Sequence, residues 1–149
     1  MTPPTPTSSP VDEAACTRLC IAFANHIDAR RYGGVLDLFT PDAVLDRMGT
    51  VARGRGAISK FLEARPVALE TRHLCTNIEI TLVAPDAAVG TCYVLFFQGS
   101  STDGGSAQAI GPPGVVEYHD RFERTAEGWR ISERRIRMAM RPAASTSTI

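Results

Sequence analysis

Apolar positions change their rhythm along this chain. Near the start, Cys16, Leu19, Cys20, Phe23 and Ile27 recur at helical spacing and form one stripe. Asp12 is placed to cap that helix, with Val11 and Cys16 as a hydrophobic staple, and Gly33-Gly34 to end it. A short second helix over residues 35–39 runs into the turn Thr40-Pro41-Asp42, followed by a short strand over 43–46. Gly54-Arg55-Gly56 precedes a third helix over 57–64, with Ile58, Phe61 and Leu62 on its apolar side and Pro66 closing it.

After residue 70 the pattern becomes β-like. Residues 73–83 and 89–98 predict two strands joined at Pro85-Asp86, rich in Val, Thr, Tyr and Phe. Residues 99–114 form a Gly/Ser/Pro loop long enough to act as a lid over a pocket mouth, or equally to be an idle surface excursion. Strands over 115–124 and 129–140 follow, turned at Glu127-Gly128. Strict alternation puts His73, Cys75, Asn77 and Glu79 on one side of the first long strand and Leu74, Ile78, Ile80 and Leu82 on the other. Helices first and meandering strands afterwards predict an α+β fold. The mixed faces suit a curved sheet around a partly polar pocket, or a sheet whose second face lies in a dimer.

Composition bounds the function. The 149 residues fit one domain, 44% apolar and 21% charged. The domain is expected over 11–141, with Pro/Ser/Thr-rich disordered tails at 1–10 and 142–149. With 16 basic and 16 acidic residues there is no basic excess for binding nucleic acid. No run approaches the ~20 apolar residues of a membrane helix, and no secretory leader is legible, so the expectation is a cytoplasmic protein. The four cysteines lack CxxC spacing and read as small buried residues. His26, His73 and His119 are scattered, without HxxxH or HxH spacing, so no metal site is expected. Neither a dinucleotide fingerprint nor a nucleophile elbow occurs, and no cofactor is expected.

The segments LFTPDAVLDRMG, GRGAISKFL, TRHLCTNIEI and YHDRFERTAEGWRISERRI, in that order after a helix, resemble the SnoaL-like group of the nuclear transport factor 2-like superfamily. The resemblance covers about residues 12–140. It implies a cone-shaped α+β barrel, a bent antiparallel sheet wrapped around three N-terminal helices, with a pocket open at the wide end. It also implies homodimers through the sheet and chemistry on small hydrophobic molecules: dehydration, dehydrohalogenation, isomerisation or polyketide cyclisation. Some members only bind or assemble.

In the dehydratase and dehydrochlorinase members, an Asp late in the first helix partners a His early in the first long strand. Asp28 and His73 stand at those places. An imidazole is the usual proton acceptor near neutral pH, and a carboxylate on one ring nitrogen strengthens the other as a base. Arg134 matches the position of a pocket arginine in these relatives, where a guanidinium holds developing negative charge. Where they carry Tyr or Lys, five positions before the helix Asp, this chain has Phe23. Tyr32, Tyr93 or Tyr118 would then have to assist the leaving group. In isomerase members, Asp46 resembles the general base and Asp120 the acid of the oxyanion hole. Beside Arg121 and Arg124, Asp120 also reads as half of a structural ion pair. Phe23, Tyr32, Asp46, Asn77, Tyr93, Tyr118 and Asp120 are the candidate pocket residues around the Asp28, His73 and Arg134 set. The reading is a lyase-type enzyme, with an isomerase or cyclase in the same pocket, or a non-catalytic binding module or accessory subunit, as alternatives.

Overall fold

A computed structural model describes residues 9–101 and 103–142. Most of both expected tails therefore lies outside the described residues. The chain builds α1 (Pro10–Asp28), α2 (Tyr32–Asp37), β1 (Phe39–Arg47), β2 (Thr50–Arg53) and α3 (Gly54–Glu63). Then follow β3 (Leu69–Ala84), β4 (Ala87–Ser100), β5 (Gln108–Ala109), β6 (Gly114–Thr125) and β7 (Gly128–Met140). The seven strands form one bent, unclosed sheet in the order β2-β1-β7-β6-β4-β3, with β5 beside β4. α1 lies across the concave face, and Cys16, Cys20, Phe23, Ala24 and Ile27 are buried there. The expected stripe is thus the buried one.

Two helix boundaries differ from expectation. α1 begins at Pro10, in line with proline's place in a first helical turn. Asp12 is therefore inside that turn rather than capping it. Its carboxylate accepts the Trp129 indole N–H at 2.9 Å and pairs with Arg124 at 2.6 Å. At the other end, the helix stops at Asp28 because Arg30 takes a left-handed conformation, φ 55°. Arg30 holds that turn by donating to the carbonyls of Pro66, Val67 and Leu69. Gly33 and Gly34 then fall inside α2. A Cβ on Gly34 would come within 2.8 Å of the His26 ring, so this glycine permits close packing of α2 on α1.

The sheet is mixed rather than wholly antiparallel, because β1 pairs parallel to β7 while the other pairs are antiparallel. Thr40-Pro41-Asp42, expected as a turn, is part of β1 where its register against β7 shifts. β1 and β2 close a hairpin through Met48 and Gly49, at φ 51° and 94°. Two positive φ values match the twist of a two-residue hairpin, and Asp46 Oδ1 accepts the Gly49 N–H at 2.9 Å. Gly49→Ala is expected to cost about 1–2 kcal/mol, the strain of a side chain in left-handed backbone. Urea denaturation of the two proteins checks this.

β3 holds the most consequential departure. Its register advances three residues from Thr76 to Glu79 while β4 advances two, from Tyr93 to Thr91. Asn77, at φ 51°, occupies the resulting β-bulge. The extra residue resets the alternation. His73 and Cys75 before it, and Ile78, Ile80 and Leu82 after it, all leave the exposed face. The expected two-sided split of these residues is replaced by a single inner row.

The long loop also carries structure. Gln108 and Ala109 fold back as β5 against Ser100 and Gly99. No helix among the described residues is long and apolar enough to cross a membrane.

Candidate active site

The concave face of the sheet, α1 and α3 enclose a cavity of about 290 Å³. Phe23 and Ile27 of α1, Leu45 of β1, Leu62 of α3 and Val116 of β6 are buried side chains that form its apolar depth. The exposed lining residues Arg47, Met48, Ala64 and Pro66 mark the mouth. None of the described residues of the 99–114 loop lines this cavity. A wider hollow of about 470 Å³ lies on the outer face of the sheet. It lies open on that face, and Arg121 and Arg135 in its walls both pair with Glu133.

His73 lines the inner cavity and is the group best suited there to move a proton. The end of α1 brings Asp28 to it, and β3 presents it twice. Asp28 Oδ1 meets His73 Nδ1 at 2.6 Å, and Oδ2 accepts the His73 backbone N–H at 2.8 Å. Thr71 donates its hydroxyl to Oδ1 at 2.9 Å and itself accepts from Arg65 Nη2 at 2.9 Å. The side chains of His73 and Asp28 are 17% and 15% exposed, so the pair is largely shielded. Phe96 of β4 stacks on the imidazole, ring centroids 6.4 Å apart and planes at 24°.

Burial alone would raise the Asp28 carboxyl, but the bonds from the His73 ring and backbone, with the ring's charge and the Thr71 hydroxyl, outweigh it. The carboxyl is held below its ordinary value of 3.8 and is ionised at neutral pH. An ionised carboxylate can only accept, so Nδ1 is the nitrogen that donates to it, and in the neutral imidazole the lone pair then lies on Nε2. Nε2 has no hydrogen-bond partner among the described residues.

Arg134 lies behind the cavity wall rather than in it. It is wholly buried and donates to Asp120 twice, Nε to Oδ1 at 2.8 Å and Nη2 to Oδ2 at 2.6 Å. Its guanidinium carbon lies 4.3 Å from the Phe23 ring centroid and 4.2 Å from that of Tyr118. Those two rings line the cavity and stand between Arg134 and any ligand. The ion-pair partner of Asp120 is thus Arg134, because inward alternation puts both on the buried face while Arg121 points out.

Among the tyrosines, Tyr118 lines the cavity. Burial raises its phenol well above the ordinary value, so it stays protonated and able to donate. Tyr32 lies behind the wall, its hydroxyl bonded by Arg30 and Arg65. Tyr93 stands on the outer face, 49% exposed. Asp46 belongs to the Met48-Gly49 turn, and Asn77 is exposed at the bulge, so neither reaches the cavity. Arg65, Thr71 and Phe96 were not singled out from the sequence. Thr71 is two residues before His73 and therefore on the same strand face, which is the one signal that could have found it. No cluster of three or more His, Cys, Asp or Glu side chains that could hold a metal ion occurs among the described residues.

Comparison with known proteins agrees with this architecture. The SnoaL-like domain model matches residues 11–135. A protein of unknown function from Mycobacterium tuberculosis, Rv3472, solved as a single-residue variant, is 29% identical, covering 89% of this chain and 77% of its own with a TM-score of 0.70. Hexachlorocyclohexane dehydrochlorinase LinA-type3 from Novosphingobium barchaimii is 22% identical over 93% of this chain and 94% of its own, TM-score 0.76. An NTF2-like protein with a cystatin-like fold from Novosphingobium aromaticivorans is 20% identical over 87% and 82%, TM-score 0.71. At the last two identities the likeness is one of fold. No curated relative matches in sequence. With the domain model spanning most of the chain and solved structures of the same fold around it, this protein belongs to the SnoaL-like family and has the cystatin-like, NTF2-like fold.

Proposed function

We propose that this protein is a lyase-type enzyme that eliminates water or halide from a small hydrophobic molecule held in the inner cavity. The observation that carries the reading is the 2.6 Å contact of Asp28 with His73 Nδ1, which leaves Nε2 as the available base beside an apolar cavity. In the reaction, Nε2 takes a C–H proton adjacent to the carbon that bears the leaving group. The C–H bonding pair becomes the second bond of the alkene, and the leaving group departs with its own pair. A departing hydroxide needs a proton, which the imidazolium formed at Nε2 can return to it, while the Tyr118 phenol, kept protonated by burial, donates a hydrogen bond to the departing oxygen, taking the part that Phe23 cannot. Asp28 stabilises the imidazolium that forms. A dehydrochlorinase is among the proteins that share this fold.

The dyad can be tested before any substrate is known. In His73→Ala the bonds that lower Asp28 are reduced to the backbone N–H and the Thr71 hydroxyl, so its carboxyl is expected to titrate at a higher pH than in the wild type. ¹³C NMR of the labelled carboxyl reads this directly, and an unchanged titration would remove the dyad. The stability consequence has a definite sign. A carboxyl lowered by folding stabilises the native state above its unfolded value near 3.8, and that contribution is lost as pH falls through the lower native value. Turnover is then sought by mass spectrometry across hydroxylated and halogenated alicyclic compounds, with loss of water or hydrogen halide as the signal.

A further inference from the structure

Two arginines stand at the cavity mouth outside any direct ion pair. Arg65, half-buried at the end of α3, donates three hydrogen bonds to neutral acceptors: the Ile27 carbonyl, the Tyr32 hydroxyl and the Thr71 hydroxyl. A guanidinium has five N–H donors, so two remain. Arg47 also lines the mouth and is exposed, its guanidinium carbon 5.6 Å from the Phe61 ring centroid. None of the ion pairs among the described residues includes either one. Meanwhile the cavity lining contains no Asp or Glu at all; its charged or chargeable side chains are Arg47, Arg65 and His73, with Tyr118 held protonated.

We infer that the ligand of this cavity is amphipathic, with an apolar body in the depth and an anionic group, a carboxylate or similar oxyanion, received at the mouth by Arg65 and Arg47. The inference rests on the inner cavity being the active site and adds the class of substrate. A neutral apolar ligand would leave the half-buried Arg65 guanidinium with spare donors and no direct ion-pair partner. An anionic group at the lip uses the spare donors of Arg65 in charge-assisted bonds, the stronger kind. It also orients the molecule, since the charged end must remain at the mouth while the apolar end reaches His73 and Phe96. The apolar depth and the cationic lip are thus two halves of one recognition surface.

The test compares two fluorescent probes of the same ring system, 8-anilinonaphthalene-1-sulfonate and neutral N-phenyl-1-naphthylamine. The wild type is expected to bind the sulfonate about 10-fold or more tightly, by the contribution of a hydrogen bond to a charged group. The advantage should shrink as salt is raised. Arg65→Met and Arg47→Met should each weaken the sulfonate and leave the neutral probe alone. The Arg47 variant serves if the Arg65 one fails to fold, since Arg47 is exposed and rests on the Phe61 ring. Amide shifts at His73 and Phe96 locate the bound probe. Equal binding of the two probes, an unchanged preference in the folded variants, or sulfonate binding that leaves those amides unmoved would each overturn the inference. The elimination reading fails on a different readout. Uncoupled titration of Asp28 and His73 would sink the dyad while leaving a charge preference intact, and the converse holds equally.

Discussion

His73→Ala is expected to lower kcat by roughly 10²–10⁴-fold, the usual contribution of a positioned general base, with a much smaller change in KM. The imidazole lines the cavity without forming its apolar depth, so the ligand keeps most of its binding surface. Asp28→Asn should also act mainly on kcat. The amide keeps the shape of the carboxylate but supplies no charge to stabilise the imidazolium, and it can turn an N–H toward Nδ1, which forces the proton onto Nε2 where the lone pair is needed. Steady-state kinetics on whichever compound shows elimination, with circular dichroism to establish folding, checks both. A His73→Ala protein that turns over at the wild-type rate ends the mechanism.

Asp120→Ala is expected to destabilise the fold by about 3–5 kcal/mol, because it strands the buried Arg134 charge without its partner. For a chain of this size that lowers Tm by about 10 °C or more. The damage is expected to exceed that of most single substitutions here, since the Arg134 side chain has no exposure at all and its Nη1 already lacks a hydrogen-bond partner among the described residues. The double variant Asp120→Leu/Arg134→Met, which removes both charges, should recover a large part of the loss. It should not recover all of it, because Arg134 also stacks against Phe23 and Tyr118. Thermal unfolding of the three variants measures this. Equal losses in the single and double variants would mean that packing, not stranded charge, sets the cost.

The sequence made some of this legible and hid the rest for physical reasons. The α1 stripe was readable because helical spacing of Cys16, Cys20, Phe23 and Ile27 reflects a single buried face. The proximity of Asp28 and His73 rested on family resemblance, since nothing local joins the end of a helix to a strand 45 residues on. Arg65 was invisible for the same reason. It looks like any charged residue after a helix until the fold puts the Ile27 carbonyl and Thr71 around it. The parallel pairing of β1 with β7 is likewise a choice among sheet edges that alternation within either strand does not record. Arg134 shows the opposite failure. Its inward phase was readable, but only packing decides whether an inward arginine faces a cavity or lies beneath its wall.

The bulge at Asn77 makes the length of β3 a functional variable. A deletion of that single residue would restore strict alternation along the strand, after which His73 and the row Ile78, Ile80 and Leu82 could no longer face inward together. The chain would have to choose between hydrophobic burial at one end and a histidine in the cavity at the other. A gap here would cost either solubility or chemistry, so this one exposed position, which lies outside the core and the cavity lining, is the place where a change in chain length matters more than a change in residue type.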